Sequence, residues 1–239
     1  MIISIFIAIF FSIGFFFESI FGFGGGLIAY SFLGFVMNIK DMIIAGLYIG
    51  TLSSIYIACG SFNDFDKKIF KKLILVSIIG SVIGTNIFIL VSSQVLAIFF
   101  AIILLILSIR LLFFEKYKIP KLVKKKFLLI GAIAQGSFGV GGPFIVSAIS
   151  DDFKNKSALR ATMAMFFLFS NILRFIQLSM FNALKIDFLK DISWTIIPVF
   201  IAIFLGHKVH LKISNKHFKT GIATITILAS LNFIYQSLK

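Results

Sequence analysis

The feature that most constrains this chain is a series of long apolar runs that contain almost no charged residues. Hydrophobic residues make up 59% of the 239 residues, and charged residues make up only 13%. Soluble domains average about 45–50% apolar and about 25% charged residues. A soluble fold of this length could not bury so much apolar surface. We therefore predict an all-α membrane protein, a polytopic bundle of hydrophobic helices.

Seven of these runs have the length of about 20 residues that a transmembrane helix needs. They are residues 2–21, 42–60, 73–91, 95–114, 161–182, 193–211 and 220–238. Two further apolar stretches, 27–37 and 143–150, follow glycine clusters. Both are too short to cross about 30 Å of hydrocarbon at about 1.5 Å per residue. We predict that these two stretches are half-helices or re-entrant segments.

The net charge of +14 is concentrated in short lysine-rich loops at 61–72, 115–126 and 212–219. Such loops are typical of the cytoplasmic side of a membrane protein. No basic stripe with aromatic residues accompanies them, so we expect no nucleic-acid partner. We predict a multi-pass protein of the plasma membrane, with these loops in the cytoplasm and both termini outside. Residues 127–150 must then begin and end on the cytoplasmic side, as a re-entrant pair.

The sequence offers little for a metal, a cofactor or catalysis. Cys59 is the only cysteine, which rules out an intrachain disulfide and a site of several cysteines. His207, His210 and His217 cluster near a basic loop, but no carboxylate or cysteine lies beside them. A membrane-embedded enzyme would need a nucleophile–base pair or a metal set within the membrane. We expect no metal, no cofactor and no catalytic residues.

A glycine motif occurs twice in the chain. Residues Gly22–Gly26 recur as Gly139–Pro143, and the same spacing aligns Glu18 with Gln135. Both clusters interrupt hydrophobic runs, which is tolerated at membrane depth only where protein or a water-filled cavity covers the backbone. We infer that the two clusters have equivalent places in two similar halves of the chain.

The two halves are residues 1–118 and 119–239, joined by the basic loop. The lysine-rich loops make helix 42–60 run inward and its partner 161–182 run outward. We therefore predict two inverted repeats within one membrane domain, each with a glycine-broken half-helix. This architecture is common among secondary transporters.

The glycine clusters predict an anion site. The N-terminus of a helix has unpaired N–H groups and about half a positive charge. Two such termini, brought together by the repeat, would form an anion-binding centre. The alternative is that the glycines only permit close helix packing. The candidate binding residues are Gly22, Gly24, Gly25, Gly26, Gly139, Gly141, Gly142, Pro143 and Phe144.

Five polar residues in apolar surroundings complete the set of candidates. Glu18 could carry a coupling proton, organise the glycine loop or lie near water at the interface, and Gln135 is its aligned counterpart. Arg174 could face an anion or extend its side chain to the outer interface. Asn171 lies about one turn away on the same face and is a second candidate for binding. Arg160 is either a gate residue or a positive anchor at the cytoplasmic side.

The motifs resemble those of the TauE/SafE sulfite-exporter family, also called TSUP. The resemblance rests on Gly22–Ala29, on Gly136–Pro143 and on Ala158–Thr162 with Asn171 and Arg174 after it. It implies a plasma-membrane permease for a small anion, often sulfur-containing, such as sulfite, thiosulfate or a sulfonate. The alternative is a channel or an accessory membrane subunit without its own activity.

Overall fold

The computed structural model describes residues 2–113, 120–153, 155–209 and 226–235, and within these ranges it is helical and contains no strand. In chain order the helices are α1 (Ile2–Phe21), α2 (Gly25–Leu33), α3 (Ile39–Gly60), α4 (Lys67–Leu90), α5 (Ser93–Phe113), α6 (Lys121–Phe138), α7 (Gly142–Ile149), α8 (Lys156–Met180), α9 (Ile186–Asp191), α10 (Ile196–Val209) and α11 (Thr226–Tyr235). Short 3₁₀ turns cover Ser150–Asp152 and Ser193–Thr195.

Five helices in the described ranges are long and apolar enough to cross a bilayer: α1, α3, α4, α8 and Ser93–Arg110 of α5. Their outer faces expose large apolar side chains, as at Ile79 in α4, Ile102 in α5 and Ile176 in α8. Such side chains are stable on an outer surface that lipid covers. The prediction of a polytopic all-α membrane protein is confirmed.

The short segments differ in part from the prediction. The half-helices α2 and α7 have only 9 and 8 residues. The helix before α7 is longer than predicted, because α6 begins at Lys121 and has 18 residues, which span about 27 Å. The first turns of α6 contain lysines and do not read as an apolar run, so the prediction started this segment at residue 127. Of the predicted last span, 220–238, the structure describes residues 226–235, which are helical.

Helices from the two halves of the chain pack in crossed pairs. Helix α1 packs along α2 and α10, and α6 packs along α7 and α4. Because α10 and α4 come from opposite halves, the halves interlock instead of lying side by side. Helices α3 and α8 also contact each other. This pairing supports two equivalent repeats, while their boundaries at residue 118 and their inverted orientation stay predictions.

Glycines permit the closest helix contacts. In α4, a Cβ at Gly80 would overlap Ala132 of α6, and a Cβ at Gly84 would overlap the carbonyl oxygen of Ile133. In the other crossed pair, a Cβ at Gly206 of α10 would overlap the carbonyl oxygen of Phe16. Close approach through small residues is typical of helices packed in a membrane. These glycines therefore have a packing role that is separate from the two glycine clusters.

Candidate functional site

Each half-helix follows a tight turn that only glycine adopts easily. Gly22 follows α1 with φ of 84°, and Gly139 follows α6 with φ of 77°. Residues with a Cβ are disfavoured in this left-handed conformation. At Gly22 a Cβ would also lie 3.0 Å from the Cα of Arg160. The two turns reverse the chain, so that the half-helices pack back against α1 and α6.

Side chains from the preceding helices hold the two turns in the same way. The Glu18 carboxylate accepts the Gly25 N–H at 2.9 Å, and the Gln135 amide oxygen accepts the Gly141 N–H at 3.0 Å. Both Glu18 and Gln135 are buried. In the structure the aligned residues thus both hold a glycine turn, and the Glu18 carboxylate is enclosed by protein. The Gly25 N–H, which we expected to be available to an anion, already has an acceptor.

The two glycine clusters contact each other. A Cβ on Gly26 would lie 3.4 Å from the side chain of Val140, and a Cβ on Gly142 would lie 2.9 Å from the Cβ of Phe23. Val140 and Phe23 occupy matching positions in the two motifs, so each turn contacts the start of the other half-helix. The N-termini of α2 and α7 therefore begin in the same region of the protein, as the repeated motif predicts.

A narrow cavity lies where the two turns meet, with about 30 Å³ of space that the centre of a water molecule can occupy. Its walls come from six helices: α1, α2, α3, α6, α7 and α8. The predicted residues that line it are Glu18, Gly24, Gly26, Gln135, Gly139, Gly142, Pro143, Asn171 and Arg174. The predicted residues that are not part of its lining are Gly22, Gly25, Gly141, Phe144 and Arg160. The structure thus brings most of the candidates into one space between the halves.

Arg174 is the cation of this cavity. It is only 1% exposed, and its Nε donates a hydrogen bond to the carbonyl oxygen of Gly136 at 2.8 Å. Its Nη1 has no hydrogen-bond partner within the described residues. A Cβ on Gly139 would lie 3.0 Å from that Nη1, which places the free nitrogen against the second glycine turn. The side chain therefore faces the cavity and does not extend to the outer interface.

Asn171 lies beside Arg174 on the cavity face of α8, as its helical spacing predicts. Its Oδ1 is 3.5 Å from the Nε2 of Gln135, the long limit of a hydrogen bond. Because Gln135 also holds the Gly141 N–H, this contact connects α8 to the second turn. Asn171 can offer its amide group to a bound ligand without disturbing the turn itself.

Arg160 and Phe144 occupy different surroundings. Arg160 is buried against Gly22, and its Nη2 is 2.8 Å from Nδ1 of His207 on α10. It therefore contacts the back of the first glycine turn, outside the cavity lining. The Phe144 ring packs against Phe127, so only its backbone belongs to the α7 N-terminus.

Tyr30 is a lining residue that the sequence analysis missed. It is buried in α2, and a Cβ on Gly46 of α3 would overlap its hydroxyl group. A Cβ on Gly139 would lie 3.6 Å from the same oxygen, so the hydroxyl lies near the free nitrogen of Arg174. Gly46 and Gly50, four residues apart in α3, both line the cavity. In the sequence, this spacing of glycines was the one feature that indicated the close approach of another helix to α3.

The fold and the cavity define a membrane protein in which two broken helices meet inside a bundle of apolar helices. The chain belongs to the sulfite exporter TauE/SafE family, whose model matches residues 5–233. No protein of curated function and no solved structure matches it. Within the described residues no group of three or more His, Cys, Asp and Glu side chains could hold a metal ion. His210 and His217 lie outside those residues.

Proposed function

We propose that the protein is a secondary transporter of the plasma membrane that carries a small anion, such as sulfite, thiosulfate or a sulfonate. The observation that supports this most is the unpaired guanidinium nitrogen of Arg174, which faces the meeting point of two half-helix N-termini. An unpaired cation in the interior is expensive unless a ligand or water satisfies it. An anion in the cavity would complete its hydrogen bonds.

The half-helices add further donors to this site. The backbone N–H groups of Gly26 and Gly142 lie in the first turns of α2 and α7, where no helical acceptor exists for them. Pro143 has no N–H and needs none at this position. The N-terminus of each half-helix also contributes about half a positive charge. A compact oxyanion can accept from several such donors at once.

The arrangement of the cavity supports transport by alternating access. Its walls come from both halves, and the two crossed helix pairs, α1 with α10 and α4 with α6, are held by close glycine contacts. Movement of one pair relative to the other would expose the cavity first to one side of the membrane and then to the other. A channel or an accessory subunit is the alternative function, and it predicts no saturable flux by the protein alone.

Proteoliposomes that contain only this protein test the proposal. Flux of labelled sulfite, thiosulfate and methanesulfonate is measured against concentration, and we expect saturation and counterflow for at least one of them. Non-saturating flux would indicate a channel. Absence of flux for all three anions would overturn the proposed function.

Arg174→Gln tests whether Arg174 binds the anion, and Arg110→Gln is its matched control. Arg110 is a second arginine in a membrane helix, but it donates to Ser147, lies over the ring of Phe127 and is not part of the cavity lining. Loss of a positive charge roughly 5 Å from the anion, at an effective dielectric constant of about 20, costs about 3 kcal/mol. We expect Arg174→Gln to raise the half-saturation concentration by about 100-fold or more, and Arg110→Gln to change it little. Equal effects would contradict an anion site at Arg174.

A further inference from the structure

One lining residue, Glu18, is not explained by anion binding. Its carboxylate lies in the cavity wall and is 8% exposed, which is unfavourable for an acid in a site that attracts anions. Its structural role does not require an acid. Gln135 holds the other turn with a neutral amide oxygen, at nearly the same distance. The acidity of Glu18 is therefore available for another purpose.

The charged groups of the cavity indicate which protonation state of Glu18 is compatible with a bound anion. Among the lining residues, Glu18 and Arg174 are the two that can carry a formal charge at neutral pH, and Tyr30 is a neutral phenol. No ion pair within the described residues joins Glu18 to Arg174. An ionised carboxylate roughly 6 Å from a bound anion would weaken its binding about 100-fold at an effective dielectric constant of about 20. Binding of an anion therefore favours a protonated Glu18.

The surroundings of Glu18 provide no other proton carrier in the cavity. On its own helix, α1, Glu18 is the only charged residue. Tyr30 of α2 and Arg174 of α8 face the same space, while α3 contributes the hydroxyl-bearing Ser54. His207 of α10 contacts Arg160 outside the cavity lining. The acid–base chemistry of the described lining is therefore centred on Glu18.

We propose that Glu18 binds one proton in each transport cycle, together with the anion, which makes the protein a proton–anion symporter. This inference rests on the proposed anion transport. In the protonated carboxyl, the carbonyl oxygen still accepts the Gly25 N–H, and the O–H becomes a donor directed to the bound anion. The proton and the anion enter from one side and leave on the other, where loss of the anion restores ionised Glu18 facing Arg174. The hydrogen bond from the Gly25 N–H to Glu18 is therefore kept throughout the cycle.

The test compares the wild-type protein with Glu18→Gln in proteoliposomes, using the fastest-carried anion among sulfite, thiosulfate and methanesulfonate. Glutamine keeps the acceptor for Gly25, as Gln135 does for Gly141, but cannot release a proton. With an acidic exterior, a gradient of one pH unit should support up to about tenfold accumulation of a monovalent anion in wild-type vesicles. A pH dye inside should report proton uptake when the anion is added.

We expect proton uptake and accumulation to disappear in Glu18→Gln, and counterflow of labelled for unlabelled anion is measured in the same vesicles to report how well the variant still binds and exchanges the anion. The anion is the same in both proteins, so its own buffering cancels from the comparison. Asp151→Asn is the matched control, since Asp151 is a surface carboxylate that pairs with Lys124, and its loss should leave coupling intact.

Three results would overturn the inference. They are accumulation driven by the pH gradient in Glu18→Gln, equal loss of coupling in Asp151→Asn, and wild-type anion flux without proton movement. The last result can be obtained even if Glu18→Gln does not fold, and it would leave the proposed anion transport intact. Absence of flux for all three anions in the wild type would instead remove the proposed function, and the inference with it.

Discussion

A fixed negative charge at Gly24 should block the anion site, and Gly24 is the position where charge can be tested with least steric disturbance. It lines the cavity and is the N-cap residue of α2. A Cβ built on it meets no atom within 4 Å. In contrast, a Cβ on Gly25 would lie 2.7 Å from the Glu18 carboxylate, and one on Gly142 would lie 2.9 Å from Phe23. Substitutions at Gly25 and Gly142 would therefore mix crowding with charge.

The matched pair is Gly24→Asp and Gly24→Asn. Gly24 has φ of 95°, so any side chain is strained there by about 1–2 kcal/mol, and less for Asn and Asp than for most residues. Both residues are also good helix N-caps. Strain, size and capping are thus nearly equal in the two variants. The remaining difference between them is one negative charge in the cavity.

The expected difference follows from Coulomb's law. A carboxylate at Gly24 would lie roughly 5 Å from an anion in the cavity, and at an effective dielectric constant of about 20 the repulsion is about 3 kcal/mol. That energy corresponds to about a 200-fold rise in the half-saturation concentration of Gly24→Asp relative to Gly24→Asn. A closer approach or a drier site would increase the difference.

The assay is concentration-dependent anion flux in vesicles at pH 8, with each variant normalised to monodisperse protein recovered by gel filtration. Equal loss of flux in both variants would mean that Gly24 serves only the turn, and the charge argument for this cavity would be wrong. Equal and nearly normal flux in both would place the anion path elsewhere.

Two further predictions concern packing and orientation. Gly84→Leu should lower the melting temperature in detergent by several degrees or prevent folding, because the new side chain would meet the backbone of α6 and overpacking costs about 1–3 kcal/mol or more. The control is Val82→Leu on the exposed face of the same helix, which should change the melting temperature little. Equal shifts in the two variants would contradict close contact between α4 and α6. In a Cys59→Ser background, an impermeant maleimide added to intact cells should label Asp187→Cys but not Asp64→Cys. Both positions are exposed, but Asp187 follows the helix predicted to run outward, whereas Asp64 lies in the loop at 61–72 that is predicted to be cytoplasmic. The reverse labelling pattern would overturn the predicted orientation.

The sequence determined those properties of the protein that depend on local chemistry. Apolar runs of about 20 residues identify spans because each residue contributes its own transfer energy to the lipid. Gly22 and Gly139 marked the turns because a left-handed φ excludes most other residues at those points. Glu18 and Gln135, which the paired motifs align in the sequence, each accept a backbone N–H group of their own glycine turn.

Tertiary structure alone decided which side chains face the cavity. In an apolar membrane helix the lipid-facing and core-facing surfaces are both hydrophobic, so the sequence of α8 left the direction of Arg174 open. Only the packing of α6 and α8 placed its guanidinium group between the carbonyl of Gly136 and the turn at Gly139. For the same reason Tyr30 gave no signal as a lining residue, because its position depends on the space that Gly46 leaves in a different helix.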